Sequence, residues 1–196
     1  MQRRFLLALL LVQLTPLLCC ARSFDVISTD TGGVEVVIVP IHHGSLLLQF
    51  KGKAIYVDPD GKGNTADLPK ADFIFYTAGE KDTAANYATL RKPETVVVTT
   101  LAEKKTYGEI TAEPAGGGYI FTMAGRRFYV SGSAAPAKLE PVDAAFVCMS
   151  AKCAKDATAT ANSVQTKVLF PYRTEGRNLQ GLKSTPAKEI RNRRWY

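Results

Sequence analysis

His42 and His43 are the only two histidines in the 196-residue chain. They precede Gly44-Ser45 and an apolar run. There an imidazole could act as a general base, and His43 is the candidate; a satisfied structural histidine is the plainer reading. Neighbouring residues in a strand point to opposite faces, so the pair would not serve one site together. Glu80 and Asp82 follow the short apolar run 73–77 and could bring two carboxylates to a metal ion, with Asp82 also a catalytic candidate. Oxygen donors suit calcium or magnesium better than zinc. A catalytic zinc takes about three protein ligands plus an open position, and two histidines cannot build a dinuclear centre of imidazoles. Ser133 lacks the Gly-x-Ser-x-Gly elbow of a nucleophile and reads as a turn serine. Asp58-Pro59-Asp60-Gly61 reads as a turn with Asp58 structural.

The elements that would position these residues are mostly strands. Segments 34–41, 45–50 and 54–57 are strand-like, the last two flanking a hairpin at Lys51-Gly52-Lys53. Short apolar runs at 73–77 and 95–99 bracket a stretch of helical composition, 83–91. A second hairpin at Ala124-Gly125 joins 119–123 to 126–130. Segments 144–149 and 167–171 read as buried strands around a helix at 156–165, capped by Asp156. Two hairpins demand antiparallel pairing, which argues against a purely parallel sheet and for sheets layered with helices outside. Gly116-Gly117-Gly118 reads as a flexible connection, with no Gly-Lys-Ser/Thr to make it a phosphate loop. No repeat period stands out.

The composition is that of a globular domain: 46% of residues are hydrophobic and 22% charged, which excludes a disordered chain, a collagen-like repeat or a coiled coil. The net charge is +7. Setting aside Arg3, Arg4 and Arg22 leaves 22 basic against 18 acidic residues, an excess too small to announce a nucleic-acid binder.

Residues 1–23 have the layout of a secretory signal: Arg3 and Arg4, an apolar run 5–18, then Cys19, Ala21 and Ser23 as small residues before cleavage after Ala21 or Ser23. The run is shorter than the roughly 20 apolar residues of a membrane span. Lipidation at Cys20 is disfavoured by Leu18 and Cys19. The expected product is one exported domain, residues 24–196, periplasmic or secreted, with no transmembrane span. It keeps Cys148 and Cys153, which could form a local disulfide in an oxidising compartment or leave Cys148 a buried thiol. Lys183, Lys188, Arg191, Arg193 and Arg194 stand against Glu189 alone before Trp195-Tyr196. They could meet an anionic envelope component or simply form a solvated edge.

Several segments together resemble metallo-β-lactamase-fold hydrolases, in particular the lactonase-like branch. They are Ile41-His42-His43-Gly44-Ser45, the strand ending Tyr56-Val57-Asp58-Pro59, the run Ala71-Asp72-Phe73-Ile74-Phe75-Tyr76-Thr77, Phe128-Tyr129-Val130-Ser131-Gly132, and Val168-Leu169-Phe170-Pro171-Tyr172. The resemblance runs over 34–172. It implies a single αβ/βα sandwich and hydrolysis of an ester or lactone by a zinc-bound hydroxide. The ligand positions depart from that pattern. After Thr77 the family carries His-x-His-x-Asp-His, where this chain reads Ala78-Gly79-Glu80-Lys81-Asp82-Thr83, and only Asp82 matches. Ser133 stands for a bridging Asp, and Arg173 for a His. Arg173 would put a guanidinium where a cation belongs and pair with Glu80 or Asp82. The expectation is a pseudoenzyme with no metal cofactor that binds an unidentified small molecule. A residual hydrolase using Glu80, Asp82 and a divalent metal, and an envelope-binding protein using the basic tail, are the alternatives.

Overall fold

A computed structural model describes residues 24–29, 33–77, 84–132, 136, 138–150, 157–174 and 179–192. Alternating apolar residues build two sheets. The first holds β1 (Asp25–Ser28), β2 (Glu35–His42), β3 (Ser45–Phe50), β4 (Lys53–Val57), β5 (Phe73–Phe75) and β6 (Val96–Val98), in that order. Pairing is antiparallel from β1 to β4 and parallel from β4 to β6. The second sheet holds β7 (Lys105–Tyr107), β8 (Ile110–Ala115), β9 (Gly118–Met123), β10 (Arg126–Val130), β11 (Val142–Cys148), β12 (Thr166–Tyr172) and β13 (Glu189–Ile190). It is antiparallel from β7 to β10 and parallel onward.

The period of two along each strand sorts side chains into layers. Leu46, Leu48, Val57 and Phe75 face Tyr119, Phe121, Phe146 and Phe170 between the sheets. The Phe75 and Phe121 rings meet edge to face at 4.9 Å. Leu47, Tyr56 and Ile74 point the other way and pack with Tyr87 of α1 (Ala84–Tyr87) and with Leu90. Ala145, Val147 and Leu169 pack with Ala157 and Ala161 of α2 (Ala157–Ser163). The result is the expected αβ/βα sandwich. Each large side chain buried there stabilises the fold by about 1.5–3 kcal/mol relative to exposure.

Both expected hairpins form. Their central residues sit in the left-handed region, Lys51 and Gly52 at φ 47° and 72°, Ala124 and Gly125 at φ 45° and 79°, as two-residue turns between twisted strands require. The glycine run is not a flexible connection. Gly116 and Gly117 turn β8 into β9, with Ala115 paired to Gly118. A Cβ on Gly118 would lie 2.0 Å from the Val130 carbonyl oxygen, and one on Gly132 would lie 2.1 Å from the Gly117 carbonyl carbon. Backbone packs on backbone here, and only glycine permits it. β8 itself escapes a pattern reading because Glu113 and Pro114 interrupt it.

No described helix is long and apolar enough to cross a membrane. Cys148 is buried and disulfide-bonded rather than a free thiol. Cys19, Cys20 and Cys153 lie outside the described residues, as does the segment 1–23.

Candidate functional site

The carboxyl ends of β4, β5, β10, β11 and β12 converge at one end of the sandwich. Asp58, next after β4, is buried, with its side chain 1% exposed. Its backbone N–H donates to the Phe75 carbonyl at 2.9 Å. Its carboxylate accepts from both the Thr77 N–H and the Thr77 hydroxyl, each at 2.7 Å. The acid therefore ties the end of β4 to the chain leaving β5. Across the core, the Tyr119 hydroxyl donates to the Tyr76 carbonyl at 2.7 Å, and within the second sheet the Tyr172 hydroxyl donates to the Ser131 carbonyl at 2.8 Å. Burial, aided by the Asp58 charge, pushes Tyr119 up to about 12 and Tyr172 higher still. Both stay neutral donors at any physiological pH.

Arg173 follows β12 and reaches from the second sheet to the first. Its backbone is left-handed, at φ 51°. Its Nη2 lies 3.9 Å from Asp58 Oδ2, and its Cζ sits 5.8 Å from the centre of the Tyr172 ring. The guanidinium lies on Gly44, where an added Cβ would fall 2.1 Å from Nε and 2.7 Å from Cζ. Any side chain at Gly44 would evict it.

His42 ends β2, and its Nδ1 lies 2.5 Å from Asp60 Oδ2. Its side chain is half-buried, 21% exposed. Burial opposes the Asp60 charge, but the His42 contact and the Lys62 N–H outweigh it and hold the carboxyl below its usual range. His43 is exposed. The two rings do not diverge to opposite faces. They meet edge to face at 4.1 Å, because the strand ends at His42 and His43 turns at φ 48°. Beside them a recess of about 350 Å³ lies between Ser45, Pro59, Asp60, Asn64, Thr65 and Leu90.

Glu80, Asp82, Ala78, Thr83 and Ser133 lie outside the described residues, so the expected pairing of Arg173 with Glu80 or Asp82 lies there too. Within them the acid beside Arg173 is Asp58. The signal for Asp58 was an acid directly after the buried run Ile55-Tyr56-Val57; nothing local links it to Arg173. Among the described residues no three His, Cys, Asp or Glu side chains are grouped as a metal ion would need. The donor set does not fit a zinc centre built on imidazoles. The chain holds only two histidines, and a guanidinium that cannot lose its proton stands at the strand ends.

The basic tail is partly spent inside the fold. Lys188 Nζ donates to the Ala161 and Asn162 carbonyls at 3.2 and 3.1 Å, closing the carboxyl end of α2. Arg191 pairs with Glu189 at 2.8 Å and with Asp25 at 3.0 Å. Arg193, Arg194, Trp195 and Tyr196 lie outside the described residues.

The same fold occurs in several solved structures. A protein from Parabacteroides distasonis described as a metal-dependent hydrolase superposes with a TM-score of 0.72 at 22% identity, covering 87% of this chain and 97% of that one. One from Thermotoga maritima, described as a zinc-dependent hydrolase of the metallo-β-lactamase superfamily, gives 0.52 at 18% identity over 70% and 75%. Igni18, a metallo hydrolase from Ignicoccus hospitalis, gives 0.54 at 13% identity over 82% and 95%. No protein-family model matches the chain, and no curated protein matches its sequence.

Proposed function

We propose that this chain, which has the metallo-β-lactamase fold, is an exported binding protein that has given up metal-dependent hydrolysis. One observation carries the reading: Arg173 reaches across the strand ends, rests on Gly44 and faces Asp58. A fixed positive charge there repels a divalent cation, and arginine cannot relieve the conflict by losing a proton. The ligand substitutions at Ala78, Thr83 and Ser133 point the same way. Export is supported by the layout of residues 1–23 and by the disulfide at Cys148, which suits an oxidising compartment.

Elemental analysis of the exported chain, purified without chelator, tests this. Less than about one-tenth equivalent of any divalent metal is expected. A near-stoichiometric metal would overturn the reading and return the chain to hydrolase chemistry through Glu80 and Asp82. Mass spectrometry of the mature protein should place its first residue at Arg22 or Phe24.

A further inference from the structure

Resting on the binding reading above, we infer that the recess beside His42 takes the ammonium group of a small primary amine, held between the Asp60 carboxylate and the Ser45 hydroxyl. Its walls belong wholly to the described residues. Side chains alternate along β3: Leu46 points between the sheets, so Ser45 points to the outer face, where Ile41 and Leu90 pack. The segment 59–66 covers that face. A Cβ on Gly63 would fall 2.3 Å from Ile41 Cγ2 and 3.1 Å from His42 Cβ, so backbone lies directly on these side chains. Asp60 is anchored by His42 Nδ1 at 2.5 Å and by the Lys62 N–H at 3.0 Å, and His42 pairs with Ser45 across the turn. Acid and hydroxyl thus stand preset in one small space, and a site already formed loses little freedom on binding.

Two observations choose the ligand. Ser45 is 2% exposed, yet its hydroxyl has no hydrogen-bond partner among the described residues. A buried hydroxyl in that state is costly until a ligand or water meets it. Asp60 is the one charged side chain among the lining residues. A lone negative charge repels carboxylates and phosphates and attracts a cation. A carboxylate accepts at about four sites, and His42 with the Lys62 and Gly63 N–H groups uses only part of that capacity. An ammonium group brings three donors, enough for Asp60 and Ser45 together. No aromatic ring is among the lining residues, so the recess is not a cage for a quaternary ammonium. Ile41, Pro59 and Leu90 offer apolar surface to a short carbon stem, and about 350 Å³ suits a small molecule.

The test uses the exported full chain, with ionic strength held constant by sodium chloride. Butylammonium chloride, n-butanol and tetramethylammonium chloride are titrated separately, and backbone amide signals are followed by NMR. The expected result is saturable binding of butylammonium that shifts the Ser45 and Leu90 amides. Butanol, which lacks the charge, and tetramethylammonium, which lacks the donors, should bind about tenfold more weakly or not at all. D60N should weaken butylammonium binding by about tenfold and S45A by about threefold. E94Q, which removes an exposed carboxylate outside the recess, should leave it unchanged. Absence of saturation by butylammonium up to about 100 mM overturns the inference. So does equal binding of butanol or tetramethylammonium, and so does equal weakening by E94Q. So does binding that spares Ser45 and Leu90 in the wild-type chain, a readout that survives even if D60N fails to fold. Metal content is measured on the same preparation. A metal-free chain that does not bind butylammonium overturns the amine site alone. A stoichiometric metal in a chain that binds butylammonium at these residues overturns the proposed function and leaves the amine site standing.

Discussion

The two sheets carry the same device at both ends of their central strands, with one difference. In the first, Asp72 precedes β5. Its Oδ2 accepts from the Ala54 N–H at 3.0 Å, and its Oδ1 faces Lys53 and Lys92 at 3.0 and 2.8 Å. In the second, Asp143 lies at the start of β11. Its Oδ2 accepts from the Arg127 N–H at 2.9 Å, and its Oδ1 faces Arg126 and Lys167 at 3.0 and 2.7 Å. Each acid clamps the strand that leaves a hairpin to the parallel strand beside it. At the other end, Asp58 donates its N–H to the Phe75 carbonyl and accepts from the Thr77 N–H. Ser131 donates its N–H to the Phe146 carbonyl, and its hydroxyl accepts from the Cys148 N–H at 2.8 Å. The backbone needs only an acceptor there, and a neutral hydroxyl meets that need in the second half. The charge on Asp58 is therefore surplus to the cap, and it stands beside the one cation that crosses between the sheets at this end among the described residues.

Breaking that correspondence should produce graded effects. The largest belongs to Gly132→Ala, which drives a Cβ into the Gly117 backbone and should cost about 3 kcal/mol or prevent folding, read by urea unfolding. Asp58→Ala should cost about 3 kcal/mol, because it strips Thr77 of its acceptor and leaves Arg173 without this carboxylate. Ser131→Ala, the matching change in the neutral half, should cost only about 1 kcal/mol. Equal losses at the two positions would show that the charge contributes nothing.

The clamps at the opposite end predict a pH dependence. At Asp72 and Asp143 burial opposes ionisation. It is outweighed at Asp72 by the Lys92 and Lys53 contacts and the Ala54 N–H, and at Asp143 by the Lys167 contact, the Arg127 N–H and the Arg126 charge. Both folded-state pKa values lie below the ordinary 3.8. Their stabilisation is thus fully present above that value and is lost as pH falls through the folded values. The melting temperature should fall below about pH 4, and the fall should be shallower in the D72N/D143N double variant. The smallest effect is expected for Lys188→Met, which removes the donor closing α2 and should cost about 1 kcal/mol. Near-unity loss there, with no change at the strand ends by NMR, would confirm that this part of the basic tail serves the fold.

Much of the scaffold was legible along the chain because its causes are local. Lys51-Gly52 and Ala124-Gly125 announce tight turns through the left-handed conformation they need, and the β-branched and aromatic runs around them alternate as half-buried strands do. β7, β8 and β13 were not legible. They are short or polar and hold their place by pairing with a neighbour, a cause that lies outside their own residues. The duplicated clamp escaped for a related reason: Asp72 and Asp143 sit in equivalent places, but the sequences around them share no repeat.

Counting alone excluded one arrangement, a dinuclear centre of imidazoles. Two histidines cannot furnish a centre built on imidazoles, whatever the fold. The resemblance to metallo-β-lactamase-fold hydrolases marked Arg173 as an arginine in a histidine's place, without saying what it would touch. Only the tertiary structure brought Arg173 over Gly44 and beside Asp58, since that contact joins the end of one sheet to a turn of the other. Charge and side-chain type are properties of a residue, readable one at a time. An ion pair across a sandwich depends on how two sheets pack, and that is decided by the whole core between them.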